Sequence, residues 1–170
     1  MRKIDITDFT LIREGKEPIL TKRPCSLYSA MLGNGEISDI YFGDKISKIN
    51  NLPPCECSFT AEIPIDSGLV NLKSVYLKLS GVHADAEIIF NGKSYGRAHN
   101  ANRTYLFDIA DSLHEGINLL KIKCKKPLAR KILLDSLGKE QTSYELSPYI
   151  ADMGITGACE IIATNSEMID

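Results

Sequence analysis

Val75 to Lys123 reads VYLKLSGVHADAEIIFNGKSYGRAHNANRTYLFDIADSLHEGINLLKIK, and this stretch decides how the chain folds. Val75, Leu77 and Leu79 alternate with Tyr76, Lys78 and Ser80, the period of two expected of a half-buried strand. Ala86, Ile88 and Phe90 repeat the pattern against Asp85 and Glu87, and the run stops at Asn91-Gly92. Both central residues of a type I′ turn need φ > 0, so Asn-Gly after an apolar alternation predicts a tight hairpin. KSYGRA is the returning strand, with Gly96 marking a bulge or a close approach. Tyr105, Phe107 and Ile109 then alternate with Leu106 and Asp108. DIADSLHEG predicts one helical turn closed by Gly116, before NLLKIK leaves as the fifth strand.

Upstream, Asp8-FTLIR is the one strand expected in residues 1–14, and GKEP is a turn. Leu27, Ala30 and Met31 share a helical face after Pro24, which predicts a short helix ending at Gly33 or Asn34. Residues 33–54 read as a long loop, and a loop of that length is usually functional or held by a partner. Cys57, Phe59, Ala61 and Ile63 form one face of a further strand, turned at Asp66-Ser67-Gly68. Downstream, Pro127-LARKILLDSLG carries helix signals from its leading proline to its closing glycine. Tyr149-IADMGITGACEIIATN supplies the last strand. Closely spaced strands with few helices predict an antiparallel β-sandwich.

The 170 residues suffice for one domain with a real core. A formal charge of −2 with interspersed signs predicts neither a nucleic-acid nor a membrane partner. No apolar run approaches the roughly 20 residues that span a bilayer. The start, MRKIDITDF, has no apolar signal segment, so the expected location is cytoplasmic. The five cysteines are scattered and odd in number, which argues against a disulfide framework. Cys55 and Cys57 share a strand face at a spacing a metal site or redox pair can use, but no second cluster accompanies them. Ordinary reduced thiols, no metal and no cofactor are the expectation, with Cys124 and Cys159 in the core.

At the central stretch the chain resembles a known family. The pattern comprises Leu79, Gly81, Val82, Ala86, Ile88, Asn91, Gly92, Gly96 and Asn100, then Tyr105, Phe107, Asp108, Leu113, Gly116, Asn118, Leu120 and Ile122. In this order and spacing they resemble the N-terminal sugar-binding domain of glycoside hydrolase family 2, with the β-mannosidase branch nearest. That branch has a proline followed by a helix, matched by Pro24 to Leu32, and a G-x-I-x-D-P-Y loop, matched at Gly35, Ile37, Asp39 and Tyr41. Its G-P-x-x-x-x-x-G-I segment is matched in part by Pro148, Gly154 and Ile155. The resemblance runs over residues 8–164. It implies an all-β fold, a galactose-binding-like jelly-roll β-sandwich of about eight antiparallel strands with one or two short helices.

The chain departs from the branch at three points. D-P-Y is Asp39-Ile40-Tyr41, and the sugar-binding Asn that follows it falls near Lys45. The W-D-W-G-P loop is Tyr144-Glu145-Leu146-Ser147-Pro148, and the chain has no Trp to stack on a sugar ring. The family's N-M-H-R-like loop corresponds to Asn100, Asn102 and Arg103. Asp39, Tyr41, Lys45, Asn100, Asn102, Arg103 and Glu145 are therefore the implied substrate-binding or domain-docking residues. Arg103 can fork onto a carboxylate or donate to a sugar hydroxyl. The alternative is a loop held by Asx-turns.

Retaining glycoside hydrolysis needs two carboxyl groups about 5–5.5 Å apart. In this family a TIM barrel of about 250 residues supplies them, and this chain is shorter than that barrel. Asp85 and Glu87 share a face but read as solvated alternation. His83, His99 and His114 stand apart from any nucleophile motif, and no helix follows Gly92 and Gly96 to make a phosphate loop. No catalysis by this chain alone is expected. The resemblance implies a non-catalytic domain of a longer glycosidase that lines the active-site cleft and docks the barrel. Its partners would be carbohydrate and the catalytic and immunoglobulin-like domains of the parent chain. A stand-alone carbohydrate-binding module, with Tyr41, Phe42, Tyr95 or Tyr149 as platform, and a structural protein-interaction sandwich are the alternatives.

Overall fold

The computed structural model describes residues 1–38, 56–83, 85–125 and 152–165. In chain order the strands are β1 (Arg2–Asp5), β2 (Asp8–Arg13), β3 (Ile19–Lys22), β4 (Cys25–Ser26), β5 (Glu56–Ile65), β6 (Ser74–Leu79), β7 (Val82–His83), β8 (Asp85–Phe90), β9 (Lys93–Ala98), β10 (Tyr105–Asp108), β11 (Gly116–Lys125), β12 (Gly154–Ile155) and β13 (Cys159–Thr164). Two short helices, α1 (Leu27–Gly33) and α2 (Ser67–Val70), interrupt them.

Every strand pairing is antiparallel. A six-stranded sheet runs β3-β2-β5-β11-β8-β9 and a four-stranded sheet β1-β13-β6-β10, while the two-residue strands make a small third sheet, β4-β12-β7. Period-two alternation delivers the core. Cys57, Phe59, Ala61 and Ile63 of β5, Ala86, Ile88 and Phe90 of β8, and Val75, Leu77 and Leu79 of β6 are all buried, as their phase predicts. Fully burying each Leu, Ile or Phe favours the fold by about 1.5–3 kcal/mol. The predicted all-β sandwich is what forms.

Among the described residues the two main sheets hold ten strands of four or more residues, against the about eight expected. Residues 1–14 hold two strands instead of one. β1, RKID, has no apolar alternation to betray it; its order comes from pairing with β13 and from ion pairs Arg2–Asp66 and Lys3–Glu160. β3 was hidden behind the GKEP turn because it buries only Ile19, while Leu20 is 85% exposed. The central stretch contains a sixth, two-residue strand, β7. Asp66-Ser67-Gly68 opens α2, where Asp66 caps by accepting from the Leu69 N–H. α1 ends at Gly33 with Asn34 as its cap, as expected, and begins with a Ser26–Ser29 capping box. The predicted helix at 127–138 lies outside the described residues.

The Asn-Gly turn forms with φ of 47° at Asn91 and 83° at Gly92. The bulge appears at Gly96, where φ is 125° and the β8–β9 register slips between Ile88 and Ile89. Asn91 does more than turn the chain. Its amide nitrogen donates to Ser112 O (2.8 Å) and Asn118 Oδ1 (2.7 Å), and its Oδ1 accepts from the Leu119 N–H (2.7 Å). Asn118 sits at an inward position of β11 and is fully buried. It also accepts from the His114 N–H (3.1 Å) and donates to His114 O (2.7 Å) and Gly116 O (3.2 Å), which satisfies its amide. The predicted helical turn at 108–116 thus exists as one turn, with Leu113 N–H donating to Ile109 O (3.1 Å), and Gly116 at φ 97° opens β11 beyond it.

Beside this clasp, Asp111 pairs with Lys93, and Tyr95 Oη lies 2.6 Å from Asp111 Oδ1 and 2.5 Å from Ser112 Oγ. The Lys93 ammonium first, and then the Tyr95 hydroxyl, hold the Asp111 carboxyl down to about 2.

Asn91→Val forces a β-branched residue to positive φ, removes one of the two donors to Asn118 Oδ1 and takes the acceptor from the Leu119 N–H, so urea unfolding should show a loss of about 2–3 kcal/mol. Asn91→Gly relieves φ but still breaks the clasp, so about 1–2 kcal/mol should be lost; wild-type stability in either variant would refute the clasp. Because the folded Asp111 carboxyl titrates below its unfolded value, its stabilisation is complete above about pH 4 and disappears toward pH 2. Acid titration of Asp111→Asn should accordingly give a flatter stability curve across that window than the wild type.

Candidate functional site

Of the seven residues singled out as binding or docking groups, Asn100, Asn102 and Arg103 lie in the described part of the chain. Asp39, Tyr41, Lys45 and Glu145 lie outside the described residues, as do Phe42 and Tyr149. The three visible residues share the loop between β9 and β10, and its organiser is Tyr105, the first residue of β10.

Tyr105 enters that strand in the alternating phase and is partly buried against the core. Its Oη accepts from the backbone N–H of His99 (3.1 Å) and Asn100 (3.0 Å). Asn100 Oδ1 accepts from the Asn102 N–H (2.9 Å), an Asx-turn, and Asn100 O accepts from the Arg103 N–H (3.2 Å). The Arg103 guanidinium lies 5.7 Å from the Tyr105 ring centroid, within cation–π reach. His99 meets the same ring edge-on at 6.4 Å, and the Phe107 ring runs parallel to it at 6.2 Å. The Asx-turn that the sequence allowed is present in this loop. Asx-turn geometry shapes it, and that shape carries an exposed arginine above an aromatic face. Tyr105 was visible in the sequence as an alternating strand residue and as part of the family pattern; neither marks its hydroxyl as the loop's acceptor.

The stems of the two other expected loops are also defined. Arg13 makes a two-pronged contact with Glu36 (2.8 and 2.6 Å), which fixes the chain just after α1, and Gly35 adopts φ 72°. At the other stem, Gly154 forms part of β12 so tightly against β4 that a Cβ would sit 2.2 Å from Cys25 O. Only glycine fits there. Asp152, raised above the ordinary carboxylate range by burial, accepts from the N–H groups of Tyr28 (3.2 Å) and Met153 (2.8 Å) and so ties this stem to α1. Asp85 pairs with Arg97, and Glu87 accepts from Ser94 Oγ. Both serve the β8–β9 hairpin. Among the described residues no group of three or more His, Cys, Asp or Glu side chains is arranged to hold a metal ion.

With this architecture in view, the comparison with known proteins is direct: the glycosyl hydrolase 2 galactose-binding domain-like family matches residues 9–152. The chain belongs to that family. It is 25% identical to mouse β-mannosidase over 138 residues, which is 81% of this chain and 15% of that enzyme. The fold is shared with the β-D-mannosidase of Dictyoglomus thermophilum at a TM-score of 0.82 and 18% identity, over 96% of this chain and 23% of that one. The exo-chitosanase of Amycolatopsis orientalis superposes at a TM-score of 0.71 and 14% identity, over 96% of this chain and 21% of that one. This chain thus spans about a seventh of the curated relative it matches.

Within the family fold, the Tyr105 hydroxyl accepts from two backbone amides of the β9–β10 loop, and its contribution can be measured. Tyr105→Phe keeps the ring under Arg103 but removes the acceptor for two amides, which should cost about 1–2 kcal/mol. Hydrogen exchange at His99 and Asn100 should accelerate markedly, while exchange in β5 and β11 stays slow; unchanged protection at those two amides would contradict the arrangement.

Proposed function

We propose that this chain is a non-catalytic N-terminal β-sandwich domain of a family 2 glycoside hydrolase, β-mannosidase/β-galactosidase-like. Its role is to line the active-site cleft and to dock the catalytic TIM barrel. The observation that carries this reading is the family match over residues 9–152, combined with superposition of nearly the whole chain on less than a quarter of two glycosidases. The rest of such an enzyme supplies the barrel and its carboxylate pair. The parent activity would be hydrolysis of O-glycosyl bonds.

The β9–β10 loop is the part of the described surface best suited to this role. Arg103 presents a planar fork of donors from a shaped loop, suited to a carboxylate of an adjoining domain or to sugar hydroxyls. Asp39, Tyr41, Lys45, Asn100, Asn102 and Glu145 complete the proposed docking and substrate-facing set.

The test uses the isolated chain and a parent polypeptide that carries it. The chain alone should release no nitrophenol from aryl β-mannoside or β-galactoside, while the parent should hydrolyse one of them. Arg103→Ala in the parent should lower kcat/KM by about tenfold, which corresponds to one charge-assisted contact of about 1.4 kcal/mol, with little change in melting temperature. Turnover by the isolated chain, or a parent that is fully active without residues 1–170, would overturn the proposal.

A further inference from the structure

Four cysteines of the described residues, Cys25, Cys57, Cys124 and Cys159, are reduced and buried. Two of them are not merely core residues. Cys57 of β5 and Cys124 of β11 are direct partners in the antiparallel register of the longest strand pair in the fold. Both point inward, at 2% and 0% exposure. Directly opposed residues of antiparallel strands have Cα atoms about 4.5 or 5.5 Å apart, depending on which kind of pair they form, and either value lies inside the disulfide range of about 4.4–6.8 Å. The two thiols are cross-strand neighbours. Contact with Cys57, followed by burial, pushes the Cys124 thiol well above its ordinary range, and its Sγ donates weakly to Ile122 O at 3.9 Å.

We infer that Cys57 and Cys124 are a latent redox pair, closed by a small-molecule disulfide such as glutathione disulfide into a bridge between β5 and β11. The thiolate of one cysteine attacks a glutathione sulfur, forms a mixed disulfide and releases one glutathione thiolate. The second cysteine, deprotonated, attacks the protein sulfur of that mixed disulfide and expels the second glutathione. The two thiol protons pass to the two leaving thiolates. The protein dithiol loses two electrons and glutathione disulfide gains them.

Burial sets the conditions for this exchange. Thiolate is the reactive form, and burial keeps Cys124 protonated and out of reach of solvent, so exchange waits on separation of β5 from β11 or occurs before they pair. The device therefore records the redox conditions in which the strands come together, and once formed it restrains the unfolded chain.

The experiment refolds the full chain from urea in glutathione disulfide, blocks remaining thiols with iodoacetamide and maps peptides by mass spectrometry. The expected result is one internal bridge, between the peptides holding Cys57 and Cys124, with a higher urea midpoint than the reduced chain. Native chain in the same buffer should form the bridge at least about tenfold more slowly, and sub-denaturing urea should accelerate it. Cys57→Ala and Cys124→Ala should each abolish it. The mapping needs only the unsubstituted chain, so a poorly folding variant does not decide the matter. No bridge after refolding, or a bridge between other cysteines, would overturn the inference.

Discussion

A fully buried primary amide cannot be left without partners, and Asn118 imposes that condition on the centre of this fold. Its oxygen accepts from Asn91 and from the His114 N–H, and its nitrogen donates to the carbonyls of His114 and of Gly116, where the turn enters β11. An unsatisfied group at such a site costs about 1–3 kcal/mol, so the β8–β9 turn, the 108–116 turn and β11 are held as one unit. Asn91 answers that demand while adopting the positive φ its turn requires. One residue thereby fixes both the reversal of the hairpin and its distance from β11, the strand against which β5 and β8 both pair.

Around that unit the two main sheets close a single apolar core, and the β9–β10 loop is attached at its rim. The loop between β9 and β10 owes its shape to Tyr105, whose ring belongs to the core margin and whose hydroxyl serves the loop backbone. Packing energy thus transmits order to the surface through one aromatic residue. Arg103 gains a defined position over the Tyr105 ring without being buried, so its charge stays exposed. Arg13–Glu36 and Asp152 perform a comparable task at two other stems, in each case by pairing a charge or accepting backbone amides at the boundary of the sandwich.

Much of this was legible in the chain because period-two alternation is a local property. Val75–Leu79, Ala86–Phe90 and Cys57–Ile63 each name their own buried face, and Asn91-Gly92 names its own turn. β1 and β3 were not legible. A short edge strand such as RKID receives its order from β13, more than 150 positions away in sequence, and from ion pairs with Asp66 and Glu160. The β9–β10 loop was half legible: its Asn and Arg residues stood out as polar, but the acceptor that arranges them sits in the following strand.

The sequence by itself determined the class of fold, the central hairpin, the end of α1 and the likeness to the N-terminal domain of family 2 glycoside hydrolases. These rest on spacing and turn chemistry, which neighbouring residues settle among themselves. Only the tertiary structure decided that Asn91 clasps Asn118, that Tyr105 carries the β9–β10 loop, and that Cys57 faces Cys124 across β5 and β11. Each of those contacts joins a pair of side chains or backbone groups through register and burial. Pairing of that kind is fixed by how strands meet in space, and alternation along one strand holds no record of it.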